Sequence, residues 1–365
     1  MTRVAACVHL NRLRQPTGVG KHILRMVEGL ANNSGIESLL FASRSQIKDF
    51  PPGEFWSAID TVSFPLPFGV MQRLWVALNW PAAEMWCGDL DWIYCPAESY
   101  VPCRRAKLAV TGHDVYAFET NLPWSGSLAH RKFRLKWKIL FQRILANAHQ
   151  LLAVSEFTKR RLIELLGAKE ESITVIGNGV DDLFFEQSQP PADPRFTLGN
   201  YAVVLGGLSL RKGGDIVLKV AEKMEHQMPD IKVIVAGNSE AALAQEAARR
   251  KNIVQIGYTD DGQVHQLLSH SICLLFPSRY EGFGIPAVEA MASGTPVVVS
   301  NCSAIPEVVD DAGIFADDCE SFIAAIRTLH EDGRLRREYV ARGRARAERF
   351  RWQTCINRLS LKLAA

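Results

Sequence analysis

The chain has 365 residues, enough for two average domains, and 47% of them are hydrophobic, enough for large cores. Charged residues are 22% and the net charge is only +3, which argues against general nucleic-acid binding. The eight cysteines are scattered without a C-x-x-C pair, so they read as reduced cytosolic thiols rather than a zinc ribbon or redox motif, and no apolar run is long enough to span a bilayer.

In chain order, residues 4–8 read as a first strand rather than a signal peptide, since one basic residue, Arg3, precedes a short apolar run. Strand-like runs follow at 38–41, 92–95, 107–111, 150–154 and 173–176. Helical periodicity covers 19–31, 72–86, 127–146 and 155–166, with Ser155 placed to cap the last. Residues 186–195 are polar and proline-rich and read as a linker. A second series of strands follows at 202–205, 232–236, 253–256, 272–276 and 297–300. A short helix at 352–363 closes the chain, with Ile356, Leu359 and Leu363 apolar. Alternating strands and helices predict parallel sheets covered on both faces. The expected fold class is therefore α/β, with two doubly wound Rossmann-like domains at 1–186 and 187–348 and a terminal helix at 349–365.

In open sheets of this kind, ligands bind beyond the carboxyl ends of the strands. Four motifs stand there. Glu281 lies in a glycine-bearing loop after the 272–276 strand. Pro286 suits a helix start, Glu289 falls about one turn inside that helix, and Gly294 ends it. The backbone of the Gly282–Gly284 loop then offers N–H groups at a helix N-terminus, which attracts phosphate, while carboxylates hold hydroxyls. Glu289, in an otherwise apolar helix, needs a polar partner.

The second motif, Gly206-Gly207-Leu-Ser-Leu-Arg211-Lys212-Gly-Gly, follows the 202–205 strand. Its glycines admit close approach, and Arg211 and Lys212, expected to begin a helix, suit a diphosphate. The third, Thr17-Gly18-Val19-Gly20-Lys21-His22, fits neither a dinucleotide fingerprint nor a nucleoside-triphosphate loop. A tight turn and a ligand-approaching turn both remain open. The fourth is His113-Asp114 at the end of the 107–111 strand, where a neutral imidazole is expected to donate to a sugar hydroxyl or a developing charge, or simply to pack.

Together these pieces resemble the family 4 retaining glycosyltransferases. The similarity rests on the Glu-x7-Glu signature from Glu281 to Glu289, the Arg211-Lys212-Gly213 block, residues 154–159 and the Gly177-Asn178-Gly179-Val180-Asp181 segment. It implies a GT-B fold, with two domains facing across a cleft and a terminal helix crossing back to the first. The first domain would bind the acceptor and the second a nucleotide sugar. By the same resemblance, Arg211 and Lys212 hold the donor diphosphate, Glu289 the ribose and Glu281 the transferred sugar. Gly207 lines the donor site, with backbone contacts from Gly282, Phe283, Gly284 and Ile285. His113 touches the sugar, Gly18 and Gly20 approach the phosphate or acceptor, and Asn178 lies near the domain junction.

The resemblance further implies retention of configuration without a metal or other cofactor. The expected activity is hexosyl transfer to a glycan or lipid-linked acceptor in surface-polysaccharide synthesis. GDP-mannose is the expected donor, with dTDP-rhamnose and UDP-hexoses as alternatives. An epimerase and a non-enzymatic nucleotide-sugar-binding protein of the same fold also stay open. No nucleic-acid partner is expected. Residues 124–143 concentrate basic and aromatic side chains (Trp124, Arg131, Lys132, Phe133, Arg134, Lys136, Trp137, Lys138 and Arg143). Two readings stand for them: a face resting on an anionic membrane surface, or a solvated helix with its aromatics packed inward. The expected location is cytoplasmic, at or near the inner face of the membrane.

Overall fold

The computed structural model describes residues 1–9, 16–49, 53–187 and 200–364, so most of the expected 186–195 linker lies outside the described residues. The chain divides into two compact units, Met1–Gly179 with Trp352–Ala365, and Val180–Arg351. The divisions thus fall at 179/180 and 351/352 rather than at 186/187 and 348/349. Local bonding explains the difference. Val180 forms a parallel bridge with Arg351, and the Arg351 guanidinium lies 3.8 Å over the Phe185 ring. Residues 180–186 are thereby tied to the second unit.

The first unit is built on seven parallel strands: β1 (Thr2–Cys7), β2 (Ile36–Ser43), β3 (Thr61–Phe64), β4 (Trp92–Cys95), β5 (Lys107–Gly112), β6 (Gln150–Ala153) and β7 (Ile173–Val175). Their order is β3-β2-β1-β4-β5-β6-β7. Side chains alternate across this sheet. Val4 and Ala6 enter one core with Met26 and Leu30, while Ala5 and Cys7 enter the other with Phe41, Trp75 and Phe141. The terminal helix Trp352–Ala364 completes the first of these cores with Trp352, Cys355, Ile356, Leu359 and Leu363. Its Ile356 side chain occupies the space a side chain on Gly29 would need, so the two helices can approach only because residue 29 is glycine.

The helix expected at 72–86 is instead two, Phe68–Leu78 and Glu84–Cys87. Asn79 turns left-handed at φ 54°, and Pro81 has no N–H to continue the ladder. Ser155 caps the Glu156–Leu166 helix as expected, its side chain accepting from the Thr158 N–H.

The second unit carries six parallel strands: β8 (Tyr201–Leu205), β9 (Lys232–Ala236), β10 (Ile253–Gly257), β11 (Cys273–Phe276), β12 (Val297–Val299) and β13 (Ile314–Phe315), in the order β10-β9-β8-β11-β12-β13. In each unit the winding direction reverses once, between β1 and β4 in the first and between β8 and β11 in the second. Such switch points leave a crevice beyond the carboxyl strand ends.

Candidate functional site

In the second unit both sequence motifs emerge at the switch point, one after β8 and the other after β11. Beyond Leu205 the chain turns through Gly206 and Gly207, at φ 84° and 73°, where a side chain would be strained. Both N–H groups donate to the Ala236 carbonyl at 2.8 Å. Gly213, at φ 69°, is the N-cap of the Gly214–Gln227 helix. Arg211 and Lys212 therefore stand in the turn ahead of that helix, not in its first turn as the sequence suggested. The left-handed glycine sets the boundary two residues later. Beyond β11, Gly284 at φ 102° caps the Ile285–Ala292 helix, and Pro286 takes its second rather than its first position.

These turns converge. Arg211 Nη1 donates to the Tyr280 carbonyl at 2.9 Å and lies 3.2 Å from Glu281 Oε2. Ser278 Oγ donates to Glu281 Oε1 at 2.9 Å, and the Glu281 N–H donates to Ser303 Oγ at 3.0 Å. The Glu281 carboxylate is 13% exposed and oriented by both a cation and a hydroxyl. Lys212 is half-buried, with its Nζ 3.5 Å from the Leu205 carbonyl. Burial holds its ammonium below the usual lysine range. The Glu281 charge opposes that fall, Arg211 adds to it, and Glu289 opposes it again. Glu289 itself is buried in the Ile285–Ala292 helix. Gly282, Phe283, Gly284 and Ile285 are buried as well, and the Phe283 ring packs edge-on to Phe350 at 5.4 Å. Two cations and two carboxylates are thus collected around one helix start, with the ammonium incompletely paired. Cations at a helix start suit an anion, and carboxylates suit hydroxyl groups.

In the first unit, Gly18 and Gly20 are the first and third residues of the Gly18–Ala31 helix, capped by Thr17 without a side-chain bond. His113 follows β5 directly. Its backbone N–H donates to Glu98 Oε1, and its Nε2 lies 2.9 Å from the Pro96 carbonyl. A carbonyl only accepts, so Nε2 carries the proton. Burial lowers the His113 pKa and keeps the ring neutral, which leaves Nδ1 as an acceptor. This corrects the expectation of a donating imidazole.

The ring meets His22 edge-on at 4.6 Å. His22 Nδ1 is 2.6 Å from Asn178 Oδ1, and Tyr94 Oη is 3.1 Å from Thr111 Oγ1. Asn178 thus belongs to a buried polar network of this unit. His22 closes the third sequence motif but had no role of its own there, and Glu98 and Tyr94 carry no sequence signal, since each sits in an ordinary-looking loop or apolar run. Only the packing of β4 against β5 and the first helix unites the three.

The Leu128–Asn147 helix sorts the basic cluster into two sets. Phe133 stacks on Tyr116 and Trp137 on Phe141. Arg134 is consumed by the Ala117 and Glu119 carbonyls, and Arg143 by those of Val76 and Ala77. Arg131, Lys132, Lys136 and Lys138 remain exposed, and with them Leu128, Leu135 and Ile139, at 75%, 60% and 48% exposure.

A family model described as Glycosyltransferase Family 4 matches residues 16–182, and another, Glycosyl transferases group 1, matches 187–346. The chain belongs to glycosyltransferase family 4. This glycosyltransferase is 29% identical over 363 residues to the O-antigen chain mannosyltransferase B of Escherichia coli, covering 93% of each chain. It is 28% identical to a phosphatidyl-myo-inositol mannosyltransferase of Mycolicibacterium smegmatis, covering 92% of this chain and 87% of that one. Among solved structures, its fold matches a sucrose-phosphate synthase from Thermosynechococcus elongatus (TM-score 0.75, 18% identity, 99% and 98% coverage). It also matches Anabaena HepE in complex with UDP and glucose (TM-score 0.74, 19% identity, 100% and 99% coverage). No helix among the described residues of the glycosyltransferase is long and apolar enough to cross a membrane.

Proposed function

We propose that this glycosyltransferase moves a mannosyl group from GDP-mannose to a glycan or lipid-linked acceptor of a surface polysaccharide, with retention of anomeric configuration. The observation that carries the donor class is the Arg211–Lys212 turn set against Glu281 and Glu289 at the β8/β11 switch point. As the bond to phosphate breaks, negative charge grows on the diphosphate. Arg211, Lys212 and the start of the Ile285–Ala292 helix neutralise it without requiring a divalent ion. Glu281 orients the sugar hydroxyls, and Glu289 takes the ribose diol. Gly207, Gly282, Phe283, Gly284 and Ile285 supply backbone approach. Gly18, Gly20 and the Nδ1 acceptor of His113 are the first unit's contribution to substrate recognition.

Mannose is supported by the names of the two curated relatives. A UDP-hexose donor is the second reading, supported by the UDP and glucose bound to Anabaena HepE. Thermal-shift titration with GDP, UDP and dTDP separates them. A diphosphate at a hundredfold its Kd adds about 2.7 kcal/mol of apparent stability. Stabilisation by UDP or dTDP but not GDP refutes the GDP-mannose assignment, and a chelator that abolishes turnover refutes metal independence.

The exposed Leu128, Leu135 and Ile139, flanked by four cations on a helix without a single acid, support a peripheral contact with anionic lipid. Flotation with phosphatidylglycerol vesicles tests this. The wild type floats and a Leu135→Glu/Ile139→Glu variant does not. Equal recovery of the two refutes the contact.

A further inference from the structure

We infer that Arg279 and Asp215 form a latch that positions Arg211 and Lys212 for glycosyl transfer. The inference rests on the reading of that pair as diphosphate ligands. Arg279 precedes Glu281 by two residues, and Asp215 is the second residue of the Gly214–Gln227 helix.

Five hydrogen bonds fasten the Glu281 loop to the 210–213 turn and the helix after it. Arg279 Nη1 and Nη2 donate to Asp215 Oδ1 and Oδ2 at 2.6 and 2.7 Å. Arg279 Nη1 also donates to the Leu210 carbonyl at 2.7 Å. The Arg279 N–H donates to the Arg211 carbonyl at 2.9 Å, and Arg211 Nη1 donates back to the Tyr280 carbonyl at the same distance. Each arginine therefore reaches across to hold the backbone beside the other. Gly213 permits the approach, because a side chain there would overlap the Pro277 carbonyl.

A two-pronged guanidinium–carboxylate pair fixes orientation as well as distance. Both side chains keep partial exposure, 24% and 31%, which screens the pair and limits its contribution to global stability. Its effect falls on the geometry of the cations. Without it the Glu281 loop loses both bonds to Asp215 at the start of the Gly214–Gln227 helix, and the bond to the Leu210 carbonyl loses the partner that aims it. Misplacement by about an ångström costs up to a hundredfold in rate.

The test uses Arg279→Ala, Asp215→Ala, the double variant and the exchanged pair Asp215→Arg/Arg279→Asp in the full chain. Three readouts are taken: nucleoside diphosphate release from whichever of GDP-mannose, UDP-glucose and dTDP-rhamnose the wild type consumes, the affinity ratio of diphosphate to bare nucleoside (GDP against guanosine, UDP against uridine), and the thermal midpoint. The latch requires each single variant to lose about tenfold or more in kcat and in the diphosphate-to-nucleoside ratio. The thermal midpoint falls by no more than that of Arg211→Ala, the double variant is no worse than the singles, and the exchanged pair recovers part of the loss. Where an alanine variant does not fold, Arg279→Lys, which keeps the charge without the fork, gives the same readouts and is expected to fall short of wild type.

Single variants within twofold of wild type overturn the latch. So do losses that multiply in the double variant, or losses that track the thermal midpoint. Arg211→Ala is run beside them. If it is impaired while the latch variants are not, only the latch falls. If it too is silent, the diphosphate reading fails first.

Discussion

Arg211→Ala is the most direct test of the donor site. The substitution removes a charged donor to the Tyr280 carbonyl and the partner 3.2 Å from a carboxylate that is only 13% exposed. A hydrogen bond to a charged group contributes about 1.5–3 kcal/mol. Arg211 keeps about a third of its side-chain surface, which screens the ion pair. The expected stability loss is therefore about 1–3 kcal/mol, a fall of roughly 2–12 °C in the unfolding midpoint of a unit this size. The catalytic loss is larger. One preorganised donor to a developing oxyanion is worth about 3 kcal/mol, a factor of a hundred or more in kcat. The assay is nucleoside diphosphate release at saturating donor, at least 15 °C below the variant's midpoint, with Arg211→Lys alongside. Lysine restores charge but not the forked geometry and should recover only part of the rate. A folded Arg211→Ala enzyme within threefold of wild type would refute the assignment of leaving-group stabilisation to this turn.

Two further predictions concern the first unit. Burial depresses the pKa of His22, with the neighbouring His113 ring adding to the fall and Asn178 opposing it, and burial depresses that of His113. Both are neutral when folded, while the unfolded chain takes up protons below about pH 6.5. Their stability contribution is therefore complete above that pH and lost below it, by up to about 1.4 kcal/mol each at pH 5.5. His22→Gln should flatten the loss of midpoint between pH 7.5 and 5.5, and an unchanged slope counts against the neutral assignment. Leu359→Ala, at a fully buried position of the terminal helix, should cost about 2–5 kcal/mol, while Leu361→Ala, 74% exposed, should cost almost nothing. Equal midpoints for the two would contradict the packing described.

The sequence revealed most of what repeats. Continuous apolar runs at β1, β4, β5, β8, β9 and β11 mark strands buried on both faces, and their alternation with helical periodicity marks the doubly wound fold. It also revealed Glu281 and Glu289, because a glycine-flanked acid before an apolar helix is unusual. The sequence did not mark β3 and β13, which are four- and two-residue edge strands with partly exposed side chains and little hydrophobic signal. Nor did it divide the 72–86 helix, since the apolar period continues across Pro81. It did not divide the cations of Leu128–Asn147 into those spent on carbonyls and those left to solvent, because that depends on which loops pack beside the helix. Arg279 and Asp215 were passed over for the same reason: 64 residues apart, they become partners only when β8 and β11 lie side by side.

The return of Trp352–Ala364 has a consequence for how the protein is made. The opening sheet acquires its last buried stripe only after the whole of Val180–Arg351 has left the ribosome, so the later lobe is topologically an insertion into the earlier one. A nascent chain interrupted anywhere within that insertion displays the uncovered helix face around Gly29 and Ile23. The second lobe needs no such wait, and it is free to consolidate while the first still holds an open groove.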